Sequence, residues 1–178
     1  MKRACVVLSF AALSLSAVAA DSSFDRGAQA ALAHDWVAAR GAWQEAAAAG
    51  DARAMSRLAD LLAKGLGSPP DEIGAVALWL AAADAGLPEA QVRLGRASLE
   101  GIGMPRDLPM AYARFRCAVE ATRRSPRDAV DAADLQDAAQ GVVAAAGQMT
   151  DAEARRGDRL ADECIALLRS ADAHTASR

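Results

Sequence analysis

The sequence predicts an all-α protein built from stacked helical hairpins, and two observations support this prediction. The first is a 36-residue repeat: residues 35–70 align with residues 71–106 without insertion, and 13 of the 36 positions are identical. A register that holds this long indicates duplication of one supersecondary unit. The second is composition: 48 of the 178 residues are alanine and seven are aromatic. Alanine is the best helix former, and its small side chain lets helix axes approach closely.

The first 20 residues have the pattern of a secretory signal peptide. Lys2 and Arg3 precede a mostly apolar run that ends near Leu15, and small residues follow it. The run falls short of the roughly 20 residues that span a bilayer, so cleavage after Ala20, or one residue earlier, is favoured over an uncleaved anchor. We therefore expect a periplasmic or secreted protein with no membrane span after cleavage and a repeat domain over residues 21–173.

The charge of the mature chain argues against two classes of partner. Removing the two basic residues of the leader from the 20 in the chain leaves 18 basic and 23 acidic residues, a net charge near −5. A chain of this sign is poorly suited to binding nucleic acid or an anionic membrane surface.

The predicted helices follow the repeat in order. A first helix is expected over residues 22–33, because its apolar residues fall on one face at helical spacing. Two complete units follow at residues 35–70 and 71–106, each with a first (A) and a second (B) helix. Each B helix is expected to end at a Gly-x-Gly sequence that leads into a short proline-containing loop.

Aspartate and glycine residues mark the expected helix ends. Asp35, Asp71 and Asp107 recur at the 36-residue step and precede the A helices, and Asp51 precedes the first B helix. An aspartate in this position accepts hydrogen bonds from the free N–H groups of the first turn. Glycine takes the left-handed conformation that ends a helix at little cost. Helix ends are predicted at Gly50, Gly65, Gly86 and Gly101.

The larger apolar residues recur at the same step. Trp43, Trp79 and Phe115 occupy one position of the A helices, and Leu58 and Leu94 occupy one position of the B helices. A stacking ladder for a ligand is the alternative interpretation of the aromatic series. A spacing equal to the repeat favours packing between helices, so these five residues are the predicted repeat core.

The third unit, residues 107–146, begins in register and then departs from the pattern. Thr122 stands where the earlier A helices have a glycine, and residues 123–124 are expected to lengthen the turn. A new helix is predicted to start at Ser125, with Pro126 in its first turn, where proline is tolerated.

A terminal helix over residues 150–172 is predicted to cap the array. Thr150 and Glu153 have the spacing of a capping box, in which each side chain satisfies a backbone N–H of the other residue. Its outer face is rich in arginine, as the end of a stacked array requires. Residues 174–178 are predicted to form a disordered tail.

Two cysteines remain after the predicted cleavage, Cys117 and Cys164. An even number of cysteines in an oxidising compartment suggests one disulfide. The alternative is two buried free thiols that pack as small apolar residues.

The repeated residues resemble the Sel1-like repeat, the 36-residue relative of the tetratricopeptide repeat. The resemblance covers roughly residues 35–118 and rests on Ala-Ala-x-x-Gly at residues 46–50 and 82–86, on Gly-x-Gly at residues 65–67 and 101–103, and on the alanine, leucine, proline and aspartate positions between them. It implies a right-handed α-solenoid of antiparallel helix pairs, with about seven to eight helices here. It also implies a scaffold or adaptor role, often in bacterial envelopes.

The sequence departs from the family in two places. Leu62 and Ser98 stand where the family usually has an aromatic residue. Cys117 lies outside the position that the cysteine-rich branch uses for a disulfide within each repeat. A bond between Cys117 and Cys164 would instead fasten the terminal helix to the third A helix.

No catalytic, cofactor-binding or metal-binding residues are predicted. The two histidines, His34 and His174, are far apart in sequence and lack zinc-ligand spacing. No serine stands three residues before a lysine, and the Gly-x-Gly sequences lack the lysine of a phosphate-binding loop. An acidic stripe at Asp128, Asp131, Asp134 and Asp137 is interpreted as a solvated face rather than a binding site for a basic partner.

The sequence therefore favours a non-enzymatic scaffold that binds a protein or peptide partner in the bacterial envelope, because stacked hairpins provide an extended surface. Two alternatives stay open. One is an envelope-modifying hydrolase, which would need a clustered nucleophile and base. The other is a structural subunit whose surface is completed by oligomerisation.

Overall fold

The computed structural model describes residues 22–124 and 132–176, and these form eight helices and no strand. Helix α1 spans residues 22–32, and the others are α2 (Trp36–Ala48), α3 (Ala52–Lys64), α4 (Glu72–Asp84), α5 (Pro88–Glu100), α6 (Leu108–Arg124), α7 (Ala132–Ala146) and α8 (Asp151–Ala176). The predicted signal peptide and the predicted helix start at Ser125-Pro126 lie outside the described residues. Within the described ranges, no helix is both long enough and apolar enough to cross a membrane.

The predicted aspartate caps are confirmed. The carboxylates of Asp35, Asp71 and Asp107 each accept a hydrogen bond from the backbone N–H three residues later, at 2.8–3.0 Å. Asp51 accepts from the N–H groups of Arg53 and Ala54 and from the Arg53 guanidinium. Burial raises the pKa of Asp51, but these hydrogen bonds outweigh it and hold the pKa below its ordinary value. Each cap satisfies N–H groups that the helix leaves without a partner.

The four predicted glycine positions all have left-handed backbone, with φ between 67° and 92°. Gly65 and Gly101 are the residues that directly follow α3 and α5. A side chain would be strained at this φ. At Gly65 it would also meet the ring of Pro70, 2.7 Å from its Cγ. The glycines therefore fix where each helix ends and how closely the following loop folds back.

The core of the first compact unit, which ends at Ala82, is built on two tryptophans. Trp43 and Trp79 are 5% and 6% exposed. The indole N–H of Trp43 donates to the carbonyl of Phe24 at 3.2 Å, and that of Trp79 donates to Asp60 at 3.3 Å. Both contacts reach 19 residues back along the chain. Helix α1 therefore packs against α2 in the same way that α3 packs against α4. By this comparison α1 occupies the position of a B helix that precedes the first complete unit.

The second compact unit, which begins at Ala83, is centred on Phe115. This ring is 2% exposed and packs with Val92, Ala111, Ala118 and Ala138. The two leucines predicted for the repeat core, Leu58 in the first unit and Leu94 in the second, are also buried. All five residues of the predicted repeat core therefore lie in the interior of one unit or the other.

Two glycines inside helices give Phe115 its space. A Cβ on Gly95 of α5 would lie 2.8 Å from Phe115 Cδ1, and one on Gly141 of α7 would lie 2.6 Å from Cδ2. These distances are far below van der Waals contact, so α5 and α7 approach Phe115 as closely as they do because both residues lack a side chain.

We expect Gly141→Ala to lower the free energy of unfolding by about 1–3 kcal/mol, because a buried ring held between two helices has no room to move. The control is Gly41→Ala, which adds a methyl group to α2 with nothing within 4 Å. That substitution should stabilise the protein by up to about 1 kcal/mol through helix propensity alone. Urea denaturation measures both variants, and equal stabilisation by the two would contradict the packing described here.

Helix α8 runs parallel to α6, and the contacts advance together along both helices. Arg156 pairs with Asp107 at 3.0 Å, Arg116 pairs with Asp158 at 2.8 Å, and a disulfide joins Cys117 to Cys164.

The predicted capping box of α8 is confirmed, because the backbone N–H of Thr150 donates to Glu153 at 2.8 Å and Thr150 Oγ1 accepts from the Glu153 N–H. The backbone and side-chain hydrogen bonds from Thr150 hold the pKa of Glu153 below its ordinary value.

The interpretation of the acidic stripe as a solvated face is wrong for its two described members. Asp134 accepts from Arg93 at 2.8 Å, and Asp137 pairs with Arg96. Both arginines lie on α5, so these two aspartates are part of the α5–α7 contact. The sequence did not indicate this because the partner charges lie about 41 residues earlier. Asp128 and Asp131 lie outside the described residues.

Two predicted helix ends also differ from the structure. The predicted turn at residues 123–124 is wrong: α6 continues to Arg124, because Thr122 is no helix stop and its hydroxyl donates to the Ala118 carbonyl at 3.0 Å within the helix. Helix α8 continues to Ala176 rather than ending at residue 172, so residues 174–176 of the predicted disordered tail are helical. No glycine or proline follows Gly157 to stop this helix.

Candidate functional site

A groove runs across the second unit between α6 and α8 and is closed at one side by the end of α4 and by α5. Its volume is about 450 Å³. We call it the α6/α8 groove. Its lining residues are Ala83, Asp84, Gly86, Gln91, Met110, Ala113, Arg114, Leu160, Glu163, Cys164, Leu167 and Leu168.

Helical periodicity explains which residues face the groove. On α8, Leu160, Cys164 and Leu167 recur at steps of four and three residues, so they form one stripe. On α6, Met110 and Ala113 form the facing stripe, because they too share one side of a helix. Ala113 is 3% exposed, and its small side chain keeps the floor of the groove open.

The disulfide fixes the spacing of the two walls. Cys117 of α6 is fully buried, and Cys164 of α8 lies in the groove wall. Their Cα atoms are 6.1 Å apart, a usual separation for bonded cysteines. The structure thus brings together the two cysteines that the sequence singled out, and it places one of them at the groove.

Arg114 is the cationic residue among those that line the groove. It is half-buried, and its guanidinium donates to Gln91 Oε1 at 2.9 Å. Burial lowers the pKa of Arg114 from its ordinary value, while the charge of Asp84 acts in the opposite direction. Arg114 forms no salt bridge with any residue in the described ranges. A guanidinium has five N–H donors, so this side chain retains donors for a ligand.

A second concavity, of about 360 Å³, lies between α6, α7 and α8. Arg116, one of its charged residues, donates to Asp158 at 2.8 Å, and the Tyr112 hydroxyl donates to the same carboxylate at 3.1 Å. Val119, Val142 and Ile165 supply its apolar surface. Arg116 thus has a carboxylate partner within the protein, whereas Arg114 of the α6/α8 groove has no salt bridge among the described residues.

Most residues that the sequence singled out are structural. Trp43, Trp79 and Phe115 are buried in the two cores, and the four glycines end helices. Among the described residues, no three side chains of the metal-ligating types cluster closely enough to hold an ion.

Sequence reasoning missed Arg114, although the repeat contains a signal for it. The same position of the A helix is Ala42 in the first unit and Leu78 in the second, and Leu78 packs against the core of its unit. An arginine at this position departs from the apolar residues of the two earlier repeats, and packing between helices does not require it. Such departures carry the specificity of repeat proteins, whose frameworks are otherwise alike.

Comparison with protein families identifies two Sel1 repeats in the chain, at residues 52–87 and 88–121. The first match covers α3 and α4, and the second covers α5 and most of α6. The matched units therefore begin at a B helix, half a unit later than the units defined above, with the same step. Helices α1, α2, α7 and α8 lie outside the matches. A comparison with curated proteins gives no match.

Solved structures with the same fold include two repeat proteins. One is a protective antigen present in uropathogenic Escherichia coli strains, which displays an SLR fold; it is 23% identical, with a TM-score of 0.70, over 85% of this chain and 32% of that one. The other is a Sel1 repeat protein from Oxalobacter formigenes, 18% identical with a TM-score of 0.52 over 74% of this chain and 57% of that one. The chain thus spans about a third of the first protein and just over half of the second. The predicted all-α Sel1-like fold is confirmed.

Proposed function

We propose, from the two Sel1 repeats that the chain carries, that this protein is a non-enzymatic scaffold of the bacterial cell envelope, and that it binds a peptide segment of a partner protein in the α6/α8 groove. Proteins with Sel1 repeats generally act as protein-interaction scaffolds. The envelope location and the choice of the α6/α8 groove as the binding site go beyond this general role and are proposed here for this protein.

The observation that supports the groove as the binding site is its combination of apolar walls and one partly desolvated cation. Leu167 is 71% exposed at the groove, and Leu160, Leu168 and Met110 add apolar surface beside it. Exposed apolar surface of this kind favours association, because burying it against a partner removes it from water. A short segment fits the groove better than a flat protein face does.

The envelope location rests on the sequence of the leader. The basic residues, apolar run and small residues of residues 1–20 are those of an export signal. The disulfide between Cys117 and Cys164 supports the same location, because such bonds persist in oxidising compartments.

Selection from a library of random peptides displayed on phage tests the proposal. We expect the mature protein to enrich a related set of peptides, and Leu167→Glu to weaken their binding by at least about 10-fold, because a charge would enter the apolar wall. Val143→Glu is the matched control: Val143 is 72% exposed, on α7 and outside the groove. Equal binding by both variants would place the site elsewhere, and a failure to enrich any peptide would contradict peptide binding itself.

A further inference from the structure

We propose that the α6/α8 groove selects a partner segment in which a single aspartate or glutamate side chain lies among apolar residues, and that the guanidinium of Arg114 binds this carboxylate. This inference rests on the proposed function and names the chemistry of its partner.

The charge of Arg114 is not balanced by a salt bridge among the described residues. A buried cation is costly unless it is paired and hydrogen-bonded. The neutral Gln91 is its hydrogen-bond acceptor among the described residues, and Asp84 acts on it electrostatically without a salt bridge. A carboxylate accepts two parallel N–H bonds from a guanidinium, in a geometry that an amide oxygen does not match. A ligand carboxylate therefore provides an interaction that the described residues do not supply.

Arg114 lies in the middle of the groove, between apolar residues. Because α6 and α8 are parallel and Cys117 faces Cys164, Arg114 lies about one helical turn before the disulfide. Met110 lies one turn earlier still, and Leu167 lies about one turn beyond the disulfide on the other wall. Apolar surface thus flanks Arg114 on both sides. A carboxylate in the middle of the groove must belong to a side chain of a segment that continues in both directions, rather than to a chain end.

The groove also carries negative charge, which limits the number of carboxylates that a partner segment can bring. Asp84 and Glu163 also line the groove, and both are exposed. Their charges repel a strongly acidic segment, since like charges close together are unfavourable. The groove therefore favours one carboxylate beside Arg114 with apolar or basic residues around it.

The experiment compares carboxylate and amide versions of the selected peptides. The peptides enriched by phage display are synthesised with the original acidic residue and with its amide, Glu→Gln or Asp→Asn. Binding is measured by fluorescence polarisation to the wild type, to Arg114→Met and to Arg159→Met. Arg159 is an exposed arginine of α8 outside the groove, so this control removes the same charge. Thermal unfolding by circular dichroism follows each variant.

We expect the acid-to-amide change to weaken binding to the wild type and to Arg159→Met by about 10- to 100-fold, the usual cost of a charge-assisted hydrogen bond. The same change should alter binding to Arg114→Met by less than about threefold, because the two substitutions remove one interaction. Arg114→Met should also melt no lower than the wild type, since an apolar side chain of similar size replaces a half-buried charge.

Peptides that lack an acidic residue, or that bind the wild type equally as acid and amide, would overturn the inference while leaving peptide binding intact. These comparisons need no protein variant, so they decide the matter even if Arg114→Met fails to fold. Peptides that bind Leu167→Glu as well as the wild type would instead overturn the proposed function of the groove.

Discussion

Replacing Phe115 with alanine is expected to lower the free energy of unfolding by about 3–5 kcal/mol, the range for a large aromatic side chain deleted from a core. The ring is 2% exposed and is in contact with α5 at Gly95 and with α7 at Gly141. Both glycines leave a surface shaped to the ring, so α5 and α7 would line an empty space in the variant. The cavity would add its own cost to the lost burial of the ring.

Urea denaturation followed by far-ultraviolet circular dichroism measures this effect. Trp36, Trp43 and Trp79 all lie in the first unit, so their fluorescence reports on that unit separately. Phe115→Leu is the control that keeps most of the volume, and we expect it to cost less than half as much. A loss below about 1 kcal/mol for Phe115→Ala would contradict a core centred on this ring.

Removing the disulfide is the second large effect. Cys117 and Cys164 are separated by 47 residues, and a link of this length stabilises by about 4 kcal/mol in the chain-entropy model. We expect the free energy of unfolding of the double variant Cys117→Ala/Cys164→Ala to be about 2–4 kcal/mol lower than that of the oxidised protein. Helix α8 should be the first element to exchange its amide hydrogens, because the bond fastens it to α6.

A thiol assay and a reductant provide the controls for the disulfide. The chain without residues 1–20, produced in an oxidising compartment and unfolded without reduction, should contain no titratable thiol. Reductant should destabilise the wild type and leave the double variant unchanged. Two reactive thiols in the unreduced protein would show instead that these cysteines pack as free side chains in solution.

The repeated features of the fold were predictable because each rests on local chemistry. Asp35, Asp71 and Asp107 cap helices through a contact three residues away, and the glycines end helices through their own backbone. Trp43 and Trp79 recur at the repeat step because each fills the same gap between an A helix and the preceding B helix. None of these assignments requires knowledge of distant partners.

The features that escaped prediction depend on pairs of helices far apart in sequence. Asp134 looks solvated until α7 is placed beside Arg93 of α5. Leu160 and Leu167 look like the packing face of a terminal helix, and only the parallel placement of α8 on α6 turns them into a groove wall. Gly95 and Gly141 carry no signal of their own, because a glycine within a helical pattern does not show which ring it accommodates.

Binding of a partner segment in the α6/α8 groove is the central claim, and nuclear magnetic resonance of the labelled chain without residues 1–20 tests it most directly. On titration with a peptide selected by phage display, we predict the largest shifts at Ala113, Arg114, Cys164 and Leu167, with Ala139 and Val142 in the second concavity unaffected. Shifts centred on Ala139 and Val142, with the groove residues unchanged, would contradict the account.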